Sequence, residues 1–203
     1  MAYTTIDDGS VYFQTALWSG DNATTQDITN DGNSDLQPDW VWVKCRNTGG
    51  NGFDHVVFDT SRGVDNNVNK SLAPADNDKE GLGNNVTSSA QFGGVSAMLS
   101  DGFTVREGSI DNDARYVNES SRTYVGWQWK VNGGTTASNS NGAITSTVQV
   151  NTVAGISIIL YTATGSNATI GHGLSQTPEV VITKGRSDNH SWIVAHKSDS
   201  ADF

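Results

Sequence analysis

"PDWVWVKCR" spans Pro38 to Arg46, and "PEVVITKGR" spans Pro178 to Arg186. Both begin with proline and an acid, run through apolar residues, and close on a lysine and an arginine two positions apart. Aromatic and β-branched residues in so short a run read as a strand. Proline is tolerated where a strand opens, because no ladder donor is needed there. Each stretch is therefore expected to be a strand opened by Pro38 or Pro178, and their likeness points to an internal repeat.

The repeat extends beyond the two strands. "SGDNAT" ending at Thr24 matches "TGSNAT" ending at Thr169, and "HVVFDTS" from His55 aligns with "WIVAHKS" from Trp192. Length changes fall in the intervening loops. The second copy stops at Phe203, where the first goes on to a long loop and the tryptophan strand "TYVGWQWK". Half a sandwich leaves an apolar sheet face without a partner layer. The expected organisation is a first β module over 1–132, a Gly/Ser/Asn/Thr-rich linker over 133–150, and an incomplete second copy over 151–203 of a longer tandem protein.

Nine stretches read as strands: 11–19, 39–46, 55–61, 101–107, 122–131, 146–151, 156–163, 179–186 and 191–197. Gly, Asn and Asp clusters between them favour turns. With no convincing helix, the fold class is all-β, an antiparallel β-sandwich followed by the start of a second similar module. Val125, Trp127 and Trp129 share one face of their strand, as do Trp40 and Trp42; these faces are expected to be core. Gly63 to Ala90 reads as a surface loop, and Val131 to Thr147 as a flexible joint.

The 203 residues suffice for one well-filled domain and part of another. A formal net charge of −10 argues against a nucleic-acid partner, since phosphate binding needs a concentrated positive surface. The single cysteine, Cys45, excludes an intramolecular disulfide framework and a thiolate zinc cluster. The N-terminus carries acids where a signal peptide carries bases, and no apolar run approaches a membrane span. Synthesis in the cytoplasm, without a membrane partner, is expected; the sequons at Asn22 and Asn167 then carry little weight.

Chemistry-bearing residues are sparse. His55, Asp59 and Ser61 are the types a Ser-His-Asp hydrolase needs, but alternate positions on one strand offer neither a nucleophile elbow nor oxyanion donors. The second copy puts Trp192 and His196 in the places of His55 and Asp59. His172 stands between glycines with no second histidine at ligand spacing. The oxygen-rich turns Asp27 to Asp35 and Gly108 to Arg115 have ligand types suited to calcium but not the EF-hand spacing. No catalytic residue, metal site or cofactor is expected. The candidate contacts are Lys44, Arg46, Lys184 and Arg186 for an anion or glycan, and Trp40, Trp42, Trp127 and Trp129 for an aromatic platform.

"YFQTALWSGDNATTQDI", "LQPDWVWVKCR", "FDTSRGV", "SDGFTV", "TYVGWQWK" and the run from "NGAITSTVQV" to "SWIVAHK" resemble tandem repeats of bacteriophage virion proteins common in marine phages. The resemblance covers nearly the whole chain and implies a lectin-like jelly-roll β-sandwich. It implies a virion structural protein, in a tail fibre or appendage anchored through its N-terminal module. A capsid-surface fibre or decoration protein is the first alternative, and a carbohydrate-binding, host-receptor module the second. Its partners would be other virion proteins, further copies of itself as a homo-oligomer with a trimer favoured, and a host surface glycan. Its location would be the virion. The motifs are strands and turns, and carry over no catalytic residue.

Overall fold

The computed structural model describes residues 6–47, 53–65, 67–81, 91–109 and 113–199. In chain order its strands are β1 (Phe13–Ser19), β2 (Thr25–Ile28), β3 (Trp40–Cys45), β4 (Val56–Asp59), β5 (Val64–Asp65), β6 (Val68–Asn69), β7 (Ser71–Leu72), β8 (Gly94–Leu99), β9 (Gly102–Arg106), β10 (Thr123–Trp129), β11 (Ala137–Asn139), β12 (Ser146–Asn151), β13 (Ile156–Leu160), β14 (Val180–Thr183) and β15 (Ile193–His196). Among the described residues helix is confined to two 3-10 turns, Gly9–Val11 and Lys197–Asp199. Among the described residues no helix is long and apolar enough to cross a membrane.

The fold is all-β, and every strand pair within its sheets is antiparallel. A five-stranded sheet runs β1-β10-β3-β4-β7, and a three-stranded sheet runs β2-β9-β8. Their inner faces meet in one core: Ala16, Trp18, Val41, Val43, Cys45, Val56, Phe58 and Tyr124 from the first sheet, Ile28, Val95, Phe103 and Val105 from the second. That is sandwich packing, with alternate residues of each strand turned inward. β3 and β10 both alternate strictly between half-buried and buried positions.

The alternation overturns one expectation. The core takes Val41, Val43 and Cys45 from β3 and Tyr124, Gly126 and Gln128 from β10, so Trp40, Trp42, Trp127 and Trp129 lie on the outer face. The physical reason is at Gly126. A Cβ there would stand 3.1 Å from Phe103 Cζ and 3.2 Å from Trp18 Cζ3. Trp18 and Phe103, edge to face at 5.6 Å, fill the space that a large β10 side chain would otherwise occupy. Trp18 also donates to Val117 O at 2.8 Å, satisfying its indole N–H inside the core.

The long polar excursion is likewise more than surface loop. β7 pairs with β4 as the fifth strand of the large sheet, and Val68, Leu72 and Ala73 are buried. Apolar residues spaced singly among Asn and Asp hide this in the sequence. The later part of the excursion, 82–90, falls outside the described residues. In the 133–150 segment, expected as a linker, β11 and the first residues of β12 form strands, and β11-β12-β13 make a sheet of their own.

The repeat is present as a hairpin of matched register. β3 and β4 pair Trp40 with Asp59 through Val43 with Val56; β14 and β15 pair Val180 with His196 through Thr183 with Ile193. Those four pairs are the ones that the sequence alignment equates, and Pro38 and Pro178 each stand two residues before their strand. The backbone bond that closes the hairpin also recurs: Thr60 N donates to Asp39 O and Lys197 N to Glu179 O, both at 3.0 Å.

Candidate functional site

The outer face of the large sheet carries a continuous aromatic ladder. Trp129 pairs across the strands with both Phe13 and Trp40, and Trp42 with Trp127. Ring centroids are 5.1 Å apart for Phe13 and Trp129, 4.6 Å for Trp129 and Trp40, 6.3 Å for Trp40 and Trp42, and 6.2 Å for Trp42 and Trp127. The Trp40–Trp129 rings are stacked, only 27° from parallel, at about the spacing of neighbouring strands. The Trp40 and Trp129 rings thus cover one face of each other, whereas Trp42 and Trp127 meet edge to face at 75° and Phe13 and Trp129 are tilted by 50°. The tryptophans singled out from the sequence thus come together on one face, each ring in contact with another of the set.

The ladder is bordered by apolar side chains that the sequence reading left unmarked. Phe13 is 41% exposed and Leu17 62%; both follow from the alternation of β1, whose buried positions are Gln14, Ala16 and Trp18. At the Phe13 end the face runs into an open depression of about 290 Å³ lined by Ile6, Gly9, Tyr12, Trp129, Ala154 and Ile156. The N-terminal segment is tied down beside it. Asp8 accepts from Ser10 Oγ at 2.6 Å, from Ser34 Oγ at 2.7 Å and from Ser10 N at 2.9 Å, and these bonds hold its carboxyl below the ordinary range, the Ser10 hydroxyl contributing most.

His55 belongs to this face and not to a triad. Its Nδ1 accepts from Trp42 Nε1 at 2.9 Å, and its ring meets Trp42 edge to face. Burial, and then the charge of Lys44, keep its pKa below the usual imidazole value, with Asp54 opposing. Asp59 is engaged by the Arg62 side chain and by the N–H groups of Ser61 and Arg62. Ser61 Oγ accepts from Gln149 Nε2 at 2.8 Å. Each of the three residues therefore has a different structural partner. His172 Nδ1 likewise accepts from Leu174 N at 3.0 Å within its turn.

The basic residues close loops. Lys44 Nζ donates to Cys45 O and Phe53 O, each at 2.8 Å. Lys184 Nζ donates to His190 O at 2.6 Å and Asn77 O at 3.0 Å. Phe53 and His190 are equivalent in the repeat, so the same lysine ties the same hairpin loop in both copies. Arg186 makes a bidentate pair with Glu80 at 2.8 Å per bond, and Glu80 also faces Arg62 at 3.5 Å and Lys70 at 3.8 Å. Glu80 joins the excursion of the first copy to the hairpin of the second, a long-range pair that no local sequence signal marks. Arg46 is exposed at the end of β3, where its N–H donates to Thr123 O.

The polar turns also serve the fold. Asp27 accepts from Thr104 Oγ1 at 2.6 Å, and Asn30 Oδ1 from the buried Gln128 Nε2 at 2.6 Å. Asp113 pairs with Arg115, while residues 110–112 of that turn lie outside the described residues. Among the described residues no group of three or more His, Cys, Asp or Glu side chains is placed to hold a metal ion. A family model described as Domain of unknown function (DUF7483) matches residues 8–202. No curated protein matches the chain, and no solved structure does.

Proposed function

We propose that this chain, which belongs to the DUF7483 family, is a structural protein of a bacteriophage virion, in a tail fibre or appendage whose N-terminal module makes the anchoring contact. The observation that carries the proposal is the aromatic ladder on the outer face, bordered by exposed Phe13 and Leu17 and continuous with the Ile6–Tyr12 segment. Half-buried rings with an exposed apolar border suit packing against another protein surface, where burial of each such side chain contributes about 1.5–3 kcal/mol. The resemblance to tandem virion repeats and the recurrence of one hairpin along the chain support the same reading. Copies of the chain would meet through this face as a homo-oligomer, with a trimer favoured, and a capsid-surface location fits the same surface.

The outward direction of the four tryptophans favours a second reading, a carbohydrate-binding module for a host surface glycan. For that role a ring face not covered by its stacked neighbour, as Trp40 and Trp129 cover each other, would receive the sugar. The two readings part experimentally. Mass spectrometry and gold labelling of purified particles should find the protein in stoichiometric amounts on the virion. Its presence in infected-cell lysate and absence from particles would overturn the virion assignment.

A further inference from the structure

β1 and β3 end, and β10 begins, at one end of the sandwich, where Ser19 pairs with Thr123 and Arg46 N donates to Thr123 O. An open depression of about 490 Å³ lies there, its lining including Asn22, Phe53, Asp113, Arg115, Glu119 and Arg122. That volume is in the range of small-molecule sites. Its walls are fixed from the core. The hydroxyl of buried Tyr124 donates to Arg115 O at 3.1 Å and accepts from Glu119 N at 2.9 Å. Fully buried Asn118 accepts from Asn22 N at 3.0 Å, and Asn22 Oδ1 accepts from Ser120 N at 2.7 Å. A wall tied in this way is preformed, so a ligand need not order it on binding.

Two arginines border the depression, each laid on an aromatic ring. Arg115 Cζ is 4.2 Å from the Phe92 ring centroid, and its guanidinium pairs with Asp113. Arg122 Cζ is 4.9 Å from the Phe53 centroid, and its Nε is 3.7 Å from Glu119 Oε2, beyond hydrogen-bond reach. Glu119 and Arg122 are brought together by a turn in which Arg122 N donates to Glu119 O at 3.2 Å. Ser121, at the third position of that turn, takes φ of 66°, where glycine or asparagine is favoured; Asn22 on the facing loop takes φ of 59°. Left-handed residues other than glycine concentrate where a site is held in shape.

The lining thus sets donors, from Arg115, Arg122 and the Asn22 amide, beside acceptors on Asp113 and Glu119, with two charges of each sign. Balanced charge gives an ion no net attraction, whereas adjacent hydroxyls, each able to donate and accept, match alternating donors and acceptors. From this arrangement we infer that the Asn22–Arg115–Arg122 depression is a binding site for a neutral sugar ring, with neighbouring hydroxyls bridging Arg122 and Glu119. None of the four ladder tryptophans lines it. The inference therefore rests neither on the virion reading nor on sugar binding at the ladder, and it fails separately from both.

The test titrates the nitrogen-15-labelled 203-residue chain with the methyl glycosides of glucose, mannose and galactose, to about 100 mM so that affinities near the millimolar end of the scale are seen. At least one should shift the Nε–H signals of Arg115 and Arg122 and the side-chain amide of Asn22 saturably, with nuclear Overhauser contacts from its ring protons to Phe53. Arg122→Gln and Glu119→Gln, both at partly exposed positions, should each weaken binding by about tenfold or more, the loss of one charge-assisted hydrogen bond, while amide signals away from the depression stay in place. The methyl glycoside of glucuronate, the same ring with a carboxylate, should bind no tighter than that of glucose. No shift with any of the three neutral sugars would overturn the inference. So would shifts confined to the indole N–H groups of Trp40, Trp42, Trp127 and Trp129, which would put the sugar on the ladder, or binding of glucuronate alone, which would make this an anion site. Binding in the parent without contacts to Phe53, or unchanged in both variants, would contradict it as well.

Discussion

Asp39 and Gln149 receive the same donor: Gly134 N–H lies 2.6 Å from Asp39 Oδ1 and 2.9 Å from Gln149 Oε1. Both side chains are fully buried. Asp39 also accepts from Val131 N, Gly133 N and Thr60 Oγ1, and Gln149 donates to Thr60 and Ser61. A carboxylate at the head of β3 and an amide on β12 thereby hold a turn in which Gly133 and Gly134 take φ of 60° and 76°, the left-handed region where glycine carries no steric cost. The composition of that turn suggests a loose joint, yet its backbone donors are claimed from both sides.

Removing the carboxylate should therefore cost more than removing the amide. Asp39→Ala leaves three backbone N–H groups without their charged acceptor and is expected to destabilise the chain by about 2–4 kcal/mol, against about 1–2 kcal/mol for Gln149→Ala. Urea unfolding checks the order. Equal, negligible losses would mean that the turn does not depend on these bonds.

Glu80 is the second tie between the copies. Glu80→Ala leaves Arg62 with Asp59 and the Val57 carbonyl, and releases the Arg186 side chain from its carboxylate. Because Arg62 is buried, the expected loss is about 1–3 kcal/mol, most of it local to β14 and β15. Exchange rates at Val181 and Thr183 should rise while those of β3 change little; a uniform rise over the whole chain would contradict this.

His55 predicts a pH dependence with a definite sign. Its pKa is depressed in the fold by burial and by Lys44, whereas the unfolded chain takes up the proton near pH 6.5. The stability it contributes is full above about pH 6.5 and is lost as pH falls through the folded value, where the unfolded state binds more protons. Protonated Nδ1 also cannot accept from Trp42. The urea midpoint should fall between pH 7 and 5, and His55→Gln should flatten that part of the profile. An unchanged profile in the variant would place the titration elsewhere.

Much of this architecture is legible in the residues themselves. The nine stretches read as strands contain β1, β3, β4, β9, β10 and β12 to β15, because each has a run of apolar or β-branched residues. β2 (TQDI) has no such run, and in β8 (GVSAML) Gly94 and Ser96 interrupt it; both are strands because β9 pairs with each. The aromatic face was visible as a set, through parity along β3 and β10, but its direction was not. Which side of β10 is core depends on Trp18 and Phe103 closing over Gly126 from other strands, information that no local window holds. The lysines were visible as repeated strand ends, whereas their acceptors, Phe53 O and His190 O, lie across loops of unequal length.

The central claim is that the Phe13–Trp129–Trp40 face is an assembly surface. Multi-angle light scattering of the purified chain over a wide concentration range, beside a Phe13→Ser, Leu17→Glu double variant, measures it most directly. Both side chains are exposed in the single chain, so the variant should fold as the parent does. The account predicts a parent that assembles, to three chains in the favoured arrangement, and a variant that stays monomeric. A parent that remains monomeric at every concentration, with its tryptophan fluorescence altered by a glycan and not by a second copy, would contradict it.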